Sequence, residues 1–388
     1  MPAWAQMGSH MSIIRSILAK AAAVLFAIAA IFTMQIPASA DPLKLVALTS
    51  DTSTTATPAT IDPATGVVTP LGTASLPFFG ISFGNQFTTL VTHGTHAYFP
   101  GAAAADGRTN TFNSLNLKSG AVTTTTDSSS TNGFINGLGW DPVHGQLVAL
   151  VSDVSSVASV ADINPTTGMV TPLGTASLPF FGLNAGNQFT SLVTNGTHAY
   201  FAGTAAAVGR TNTFYSLDLS TGALTQIIDS SSTSGLINGL GWDPVHDQLL
   251  ALVSGISSTA SFADIDPATG AITPLGTASL PFFGINVGNQ FTTLLTDGSH
   301  AYFPGTAAAE GRTNTYYSFD LSTGALTSII DSGGATDPAF IDALGIVPET
   351  RGSAVPEPAS GLYLIFGFLI AICIRYRLKA DPLIKTSR

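Results

Sequence analysis

Thr69-Pro70-Leu71-Gly72-Thr73-Ala74-Ser75-Leu76-Pro77-Phe78-Phe79-Gly80 is written three times in this chain, beginning again at Thr171 and at Thr273. Both spacings are 102 residues. A fixed period of this kind marks a repeat architecture, and it governs how everything around it is read. Three such units fill the span from Leu45 to about position 350 of the 388-residue chain.

Each unit carries a weaker repeat inside it. Ile61-Asp62-Pro63-Ala64-Thr65-Gly66 resembles Leu115-Asn116-Leu117-Lys118-Ser119-Gly120, and the pair returns as 163–168 with 217–222 and as 265–270 with 319–324. The Gly that closes each hexapeptide suits a tight turn needing positive φ. Around these turns lie short apolar or β-branched runs. In the second unit they are Leu147-Val148-Ala149-Leu150-Val151, a weaker alternation over 158–163, Met169-Val170-Thr171 and a run over 189–193. No apolar period of 3.6 residues competes with them. Short strands at this spacing predict an all-β fold. Four strands in about 50 residues, six times over, predict a six-bladed β-propeller built from three double-blade repeats. Three β-sandwiches or an open β-solenoid use the same unit length and stay open at this point.

The ends of the repeat region favour a closed ring. The body opens on Leu45-Val46-Ala47-Leu48, without the strand that precedes the later copies, Ile135-Asn136-Gly137-Leu138-Gly139-Trp140 and its equivalent over 237–242. The counterpart of that strand, Ile341-Asp342-Ala343-Leu344-Gly345-Ile346, stands at the far end of the body. The last strand is therefore expected to complete the first blade and leave no open sheet edge.

Charged residues are only 9% of the chain, and the formal net charge is −10. Seven of the 13 basic residues, but only Asp381 of the 23 acidic ones, precede the N-terminal apolar run or follow the C-terminal one, which leaves six basic against 22 acidic residues between them. An acidic body without a basic stripe argues against nucleic acid, whose phosphates supply most non-specific affinity. The single cysteine, Cys373, lies in the C-terminal apolar run. The body therefore holds neither disulfides nor a thiolate metal site.

Both ends read as sorting signals. From Met11, Arg15 and Lys20 form a positive region, 21–32 an apolar one, and Ala38-Ser39-Ala40 a signal-peptidase site; residues 1–40 are thus an N-terminal extension and signal helix. The repeat domain covers 45–350, and 351–388 form a linker and a second apolar helix. Here Val355-Pro356-Glu357-Pro358 precedes an apolar run over 361–374 and then Arg375-Tyr376-Arg377. This order resembles the PEP-CTERM sorting signal of Gram-negative bacteria that secrete exopolysaccharide. The resemblance implies export across the inner membrane, a transient membrane anchor, processing by an exosortase near the Pro-Glu-Pro motif, and a final place at the cell surface or outside the cell.

Three repeated motifs keep their polar residues. His96, His198 and His300 recur in His-Ala-Tyr-Phe, and could bind a metal together or cap strand ends one by one. Arg108, Arg210 and Arg312, with Asn110, Asn212 and Asn314, suit anionic groups on an acidic polymer. Phe79, Phe181 and Phe283 lie near Asn and Gln and suit stacking on sugars. The run 264–270 resembles a calcium loop faintly and is better explained as a turn; His144 and His246, in Trp-Asp-Pro-Val-His, fall in a similar turn. No catalytic set, metal site or cofactor emerges from spacing. The expectation is an exported, non-catalytic surface or matrix protein in contact with exopolysaccharide, with a propeller hydrolase or lyase acting at the channel mouth on an extracellular polymer as the alternative. Exported protein is expected to begin at Asp41, which N-terminal sequencing checks; a start at Met11 would refute the signal peptide.

Overall fold

The computed structural model describes residues 44–50, 55–77, 90–101, 110–126, 134–152, 157–175, 178–179, 192–202, 213–228, 236–244, 246–254, 259–276, 280–281, 292–304, 315–330 and 340–347. These residues form antiparallel sheets of four principal strands, six in all, arranged as the blades of a β-propeller. From the innermost strand outward, blade 1 is Phe340–Ile346, Leu45–Ser50, Thr55–Ile61 and Val68–Pro70. Blade 2 is Val91–His93, His96–Pro100, Thr111–Asn116 and Val122–Thr126. Blade 3 is Phe134–Asp141, Gln146–Ser152, Val157–Ile163 and Val170–Pro172, and blade 4 is Leu192–Thr194, His198–Ala202, Thr213–Asp218 and Leu224–Ile228. Blade 5 is Leu236–Asp243, Gln248–Ser254, Thr259–Ile265 and Ile272–Pro274, and blade 6 is Leu295–Thr296, His300–Pro304, Thr315–Asp320 and Leu326–Ile330. The inner strands touch one another in blade order and return from blade 6 through Phe340–Ile346 to blade 2, which closes the ring.

The apolar runs explain this arrangement. A half-buried strand alternates, whereas a strand covered on both faces is continuously apolar. In Leu45-Val46-Ala47-Leu48, Leu45 and Ala47 join the cluster between blades 6 and 1, with Tyr302 and Tyr316, while Val46 and Leu48 join the cluster between blades 1 and 2, with Phe99 and Leu115. Leu147 and Ala149 likewise face blade 2, and Val148 and Leu150 face blade 4. Two further clusters join blades 4 to 5 and 5 to 6. The described core is therefore six interfaces between neighbouring sheets.

The half-repeat hexapeptides are the outer hairpin turns of all six blades. In each, an Asp or Asn side chain accepts from the backbone N–H two residues on: Asp62 from Ala64 at 2.8 Å, Asn116 from Lys118 at 3.0 Å, Asn164 from Thr166 at 2.9 Å, Asp218 from Ser220 at 2.8 Å, Asp266 from Ala268 at 2.7 Å and Asp320 from Ser322 at 2.9 Å. The segment 264–270 is thus a turn of this set. Its glycine partners also allow blades to approach: a Cβ on Gly120, at φ 71°, would stand 2.6 Å from the backbone nitrogen of Gly72 in blade 1.

Blade 1 is assembled from both ends of the body. Leu45 pairs with Ile346 and Ala47 with Leu344, and the Val347 N–H donates to the Lys44 carbonyl at 2.9 Å. Across the seam to blade 6, the Tyr316 hydroxyl donates to the Asp62 carbonyl at 3.1 Å. One strand assignment changes. The run over 189–193, expected to end a half-unit, instead leads into Leu192–Thr194, the inner strand of blade 4; the fourth strand of blade 3 is Phe134–Asp141. The reason is the ladder itself, since the third strand of blade 3 already finds its outer partner in Val170–Pro172. Among the described residues no helix is long and apolar enough to cross a membrane, and the expected signal and C-terminal helices lie outside them.

Ending the chain at Gly333 would remove Phe340–Ile346, bare the backbone of Leu45–Ser50 and uncover the cluster that Ile341 and Leu344 complete. Each buried aliphatic side chain is worth roughly 1.5–3 kcal/mol, against a domain stability of about 5–15 kcal/mol. The shortened protein should melt about 10–20 °C lower or aggregate. Protease protection of 45–137 that survives the truncation would count against the closed ring.

Candidate functional site

The described residues bring together a group of side chains that the spacing did not reveal. At the end of the inner strand of blade 3, the chain turns through Asp141-Pro142-Val143-His144-Gly145 into the second strand. Asp141 builds this turn: its Oδ1 accepts from the N–H of Val143 at 2.7 Å and of His144 at 3.2 Å, and its carbonyl accepts from the Gly145 N–H at 2.9 Å. The turn sets the imidazole over the carboxylate that organises it. His144 Nδ1 lies 2.6 Å from Asp141 Oδ2.

The third member arrives from another strand. Asp162 pairs with Val148, which also pairs with Gly139, two residues before Asp141; Gln146 pairs with Asp141. Side chains alternate across a strand, so Asp141, Gln146 and Asp162 share one face of the sheet. Asp162 Oδ2 stands 3.0 Å from His144 Nδ1. Blade 5 repeats the arrangement with Asp243, His246 and Asp264, at 2.6 Å and 3.2 Å. There Asp247, at φ 55°, takes the left-handed position that Gly145 occupies in blade 3. In both copies the carboxylates are buried and the histidine reaches solvent, with 36% and 41% of its side chain exposed.

Burial decides the electrostatics. Loss of water, then the nearby charge of Asp141, pushes the Asp162 carboxyl up to about 7; the same causes, with Asp243 as the neighbour, push Asp264 up to about 7. The hydrogen bond to Asp141 raises His144, and that to Asp243 raises His246. Asp141, His144 and Asp162, and likewise Asp243, His246 and Asp264, offer ligand atoms within 4.8 Å of one another.

Blade 1 has no third copy, for a topological reason. Its inner and second strands are the two ends of the body, so no hairpin joins them, and Thr60 stands 102 residues before Asp162. The even blades keep only the turn. In blade 6, Asp297 accepts from the N–H of Ser299 and of His300, both at 2.7 Å, but its Oδ2 is 3.9 Å from His300 Nδ1. Asn195 plays that part in blade 4, accepting from the His198 N–H at 2.8 Å.

His96, His198 and His300 sit at the start of the second strands of blades 2, 4 and 6. Each ring nitrogen Nδ1 meets the hydroxyl of the preceding residue, at 3.1, 2.9 and 2.9 Å, and each ring stacks on the Tyr two residues on. They belong to neither ligand group found among the described residues. Asn110 precedes the third strand of blade 2, at the end of the blade opposite the Asp–His turns. Arg108, Arg210, Arg312, Asn212, Asn314, Phe79, Phe181 and Phe283 lie outside the described residues, as do the signal cleavage site at Ala38 and Ala40 and the sorting motif with Val355, Pro356, Glu357, Pro358, Arg375 and Arg377. A different aromatic surface is present: next to Asp141, half-buried Trp140 stacks on exposed His93 at 3.7 Å, with Tyr98 at 6.1 Å.

No family model and no curated protein matches the sequence. Solved structures do. The chain is similar to a putative 6-phosphogluconolactonase of Bacteroides uniformis at 14% identity and a TM-score of 0.45, over 79% of this chain and 100% of that one. A putative 6-phosphogluconolactonase of Bacteroides fragilis matches at 14% and 0.45, over 80% and 99%, and an oligogalacturonate lyase in complex with manganese at 13% and 0.44, over 70% of each. Likenesses this distant carry no argument about what this chain does. The expectation that the chain is not an enzyme is nevertheless corrected. That expectation rested on a missing catalytic constellation, and the ground fails once the two Asp–His–Asp clusters are seen.

Replacing Asp141 with Ala removes the acceptor of two backbone N–H groups and one partner of His144. The loss is expected to be about 1–3 kcal/mol in denaturant unfolding. Thr60→Ala in blade 1, which breaks only a 3.4 Å exposed contact with the Thr69 carbonyl, should stay within about 0.5 kcal/mol.

Proposed function

We propose that the chain is an exported propeller hydrolase or lyase acting on an extracellular polymer, with its reaction centres at the Asp–His–Asp clusters of blades 3 and 5. The observation that carries this reading is the way each histidine is held. Two buried carboxylates take Nδ1 of His144, at 2.6 and 3.0 Å. A ring fixed through Nδ1 leaves Nε2 as the nitrogen available to an outside group, which is how a positioned general base is prepared. Hydrolysis needs such a group to draw a proton from water; elimination needs it to draw one from carbon beside a carbonyl or carboxylate. The buried carboxylates stabilise the imidazolium formed in either case.

Three features support a polymer outside the cell as substrate. The signal peptide over 11–40 and the Val355-Pro356-Glu357-Pro358 sorting motif are signals for signal peptidase and an exosortase, and would put the body in contact with exopolysaccharide. The low charge of the body gives it a hydroxyl-rich surface. Trp140, adjacent to Asp141 in sequence but on the opposite face of the blade, stacks on exposed His93, an aromatic surface of the kind sugar rings pack against.

The test is turnover of a panel of bacterial and plant polysaccharides and of sugar lactones, followed by new reducing ends for hydrolysis and by ultraviolet absorbance of a new C=C for elimination. Because the cluster occurs twice, the informative variant is His144→Gln with His246→Gln. Its rate should fall by at least about 100-fold while its melting stays near that of the parent. A rate unchanged in the double variant would sink the assignment of these residues, and no product from any substrate would sink the enzymatic reading.

A further inference from the structure

We infer that each Asp–His–Asp cluster is a binding site for one divalent transition-metal cation, held by Asp141, His144 and Asp162 in blade 3 and by Asp243, His246 and Asp264 in blade 5. The donors are of the right kind and closeness. One imidazole nitrogen and two carboxylates suit first-row cations such as Mn²⁺ or Zn²⁺ better than Ca²⁺, which takes oxygen alone. A cation about 2.1 Å from each donor keeps neighbouring donors about 3 Å apart. His144 Nδ1 is already 2.6 and 3.0 Å from the two carboxylates, and His246 Nδ1 is 2.6 and 3.2 Å from its pair. All the donor atoms of each cluster lie within 4.8 Å of one another.

A second observation points to a ligand independently of this closeness. Among the described residues, three buried side-chain atoms lack a hydrogen-bond partner: Asp162 Oδ1, Asp264 Oδ1 and Gln146 Oε1. Two of the three belong to the site aspartates. Asp162 and Asp264 are each 2% exposed and supply the third donor of each cluster, and Gln146 pairs with Asp141 on the face that carries Asp162. Buried polar oxygens without a partner are costly, and a native structure rarely keeps them idle. A bidentate carboxylate on a cation uses both of its oxygens. The charge also closes. A bound cation requires both carboxylates ionised and the imidazole neutral, a total of −2 that a divalent cation cancels where water cannot. The site is open on one side only, through the solvent-facing histidine, and an acidic body draws cations toward it.

The inference does not depend on the chain being an enzyme. Should it be one, water on the cation would serve as the activated group in place of His144 Nε2.

The experiment is metal titration of the full chain after chelator treatment. Mn²⁺ binding is followed by the loss of the free-ion electron paramagnetic resonance signal, Zn²⁺ by calorimetry, and Ca²⁺ serves as the weak comparison. Two Mn²⁺ per chain are expected. Asp162→Asn should leave one, and Asp162→Asn with Asp264→Asn should weaken both by at least about 100-fold. Where these buried changes impair folding, His144→Gln and His246→Gln, at the exposed side of the clusters, give the same reading. No binding by the parent overturns the inference, as does binding that the variants leave untouched. A protein that binds two cations and turns over nothing would keep the inference and fell the enzymatic reading; turnover that persists in chelator-treated protein without binding would do the reverse.

Discussion

A sheet whose two faces are both apolar cannot be content with one neighbour. That constraint underlies the whole molecule. The second strand of blade 1 sends Leu45 and Ala47 to one side and Val46 and Leu48 to the other. A linear stack of such sheets would leave one apolar face bare at each end, whereas a ring leaves none. Closure is thus the condition under which any single blade is stable, and the chain meets it by splitting blade 1 between its ends. The Asx turns and their glycines then let the sheets lie close enough for the interfaces to fill.

Against this apolar background the Asp–His–Asp clusters are the expensive feature. Two carboxylates are removed from water beside one another, with His144 or His246 over them at the exposed side. Blade 1 closes without a copy, so the architecture does not require the cluster. A costly polar group that the fold can do without is a sign of use.

The fold was legible because its signal is periodic and local. The 102-residue spacing, the six turn hexapeptides and the unbroken runs at 45–48 and 147–151 each report a property that neighbouring residues share. The run over 189–193 misled because strand propensity says nothing about which blade a strand joins. The site was illegible for a related reason. Asp141 and Asp162 meet through the register in which Val148 faces both Gly139 and Asp162, and register is set by the turns and the buried faces together. His144 could be seen in its turn; its second carboxylate could not. Trp-Asp-Pro-Val-His, kept whole in two units, was the one visible hint.

The seam of blade 1 has a geometric consequence for how the protein meets its surroundings. Lys44 and Val347 are bonded to each other across the seam at 2.9 Å, and they stand where the other odd blades carry the Asp–His hairpin. Lys44 and Val347 therefore lie side by side, on the same rim as the two clusters. Any tether attached to either end shares that rim with whatever the clusters bind.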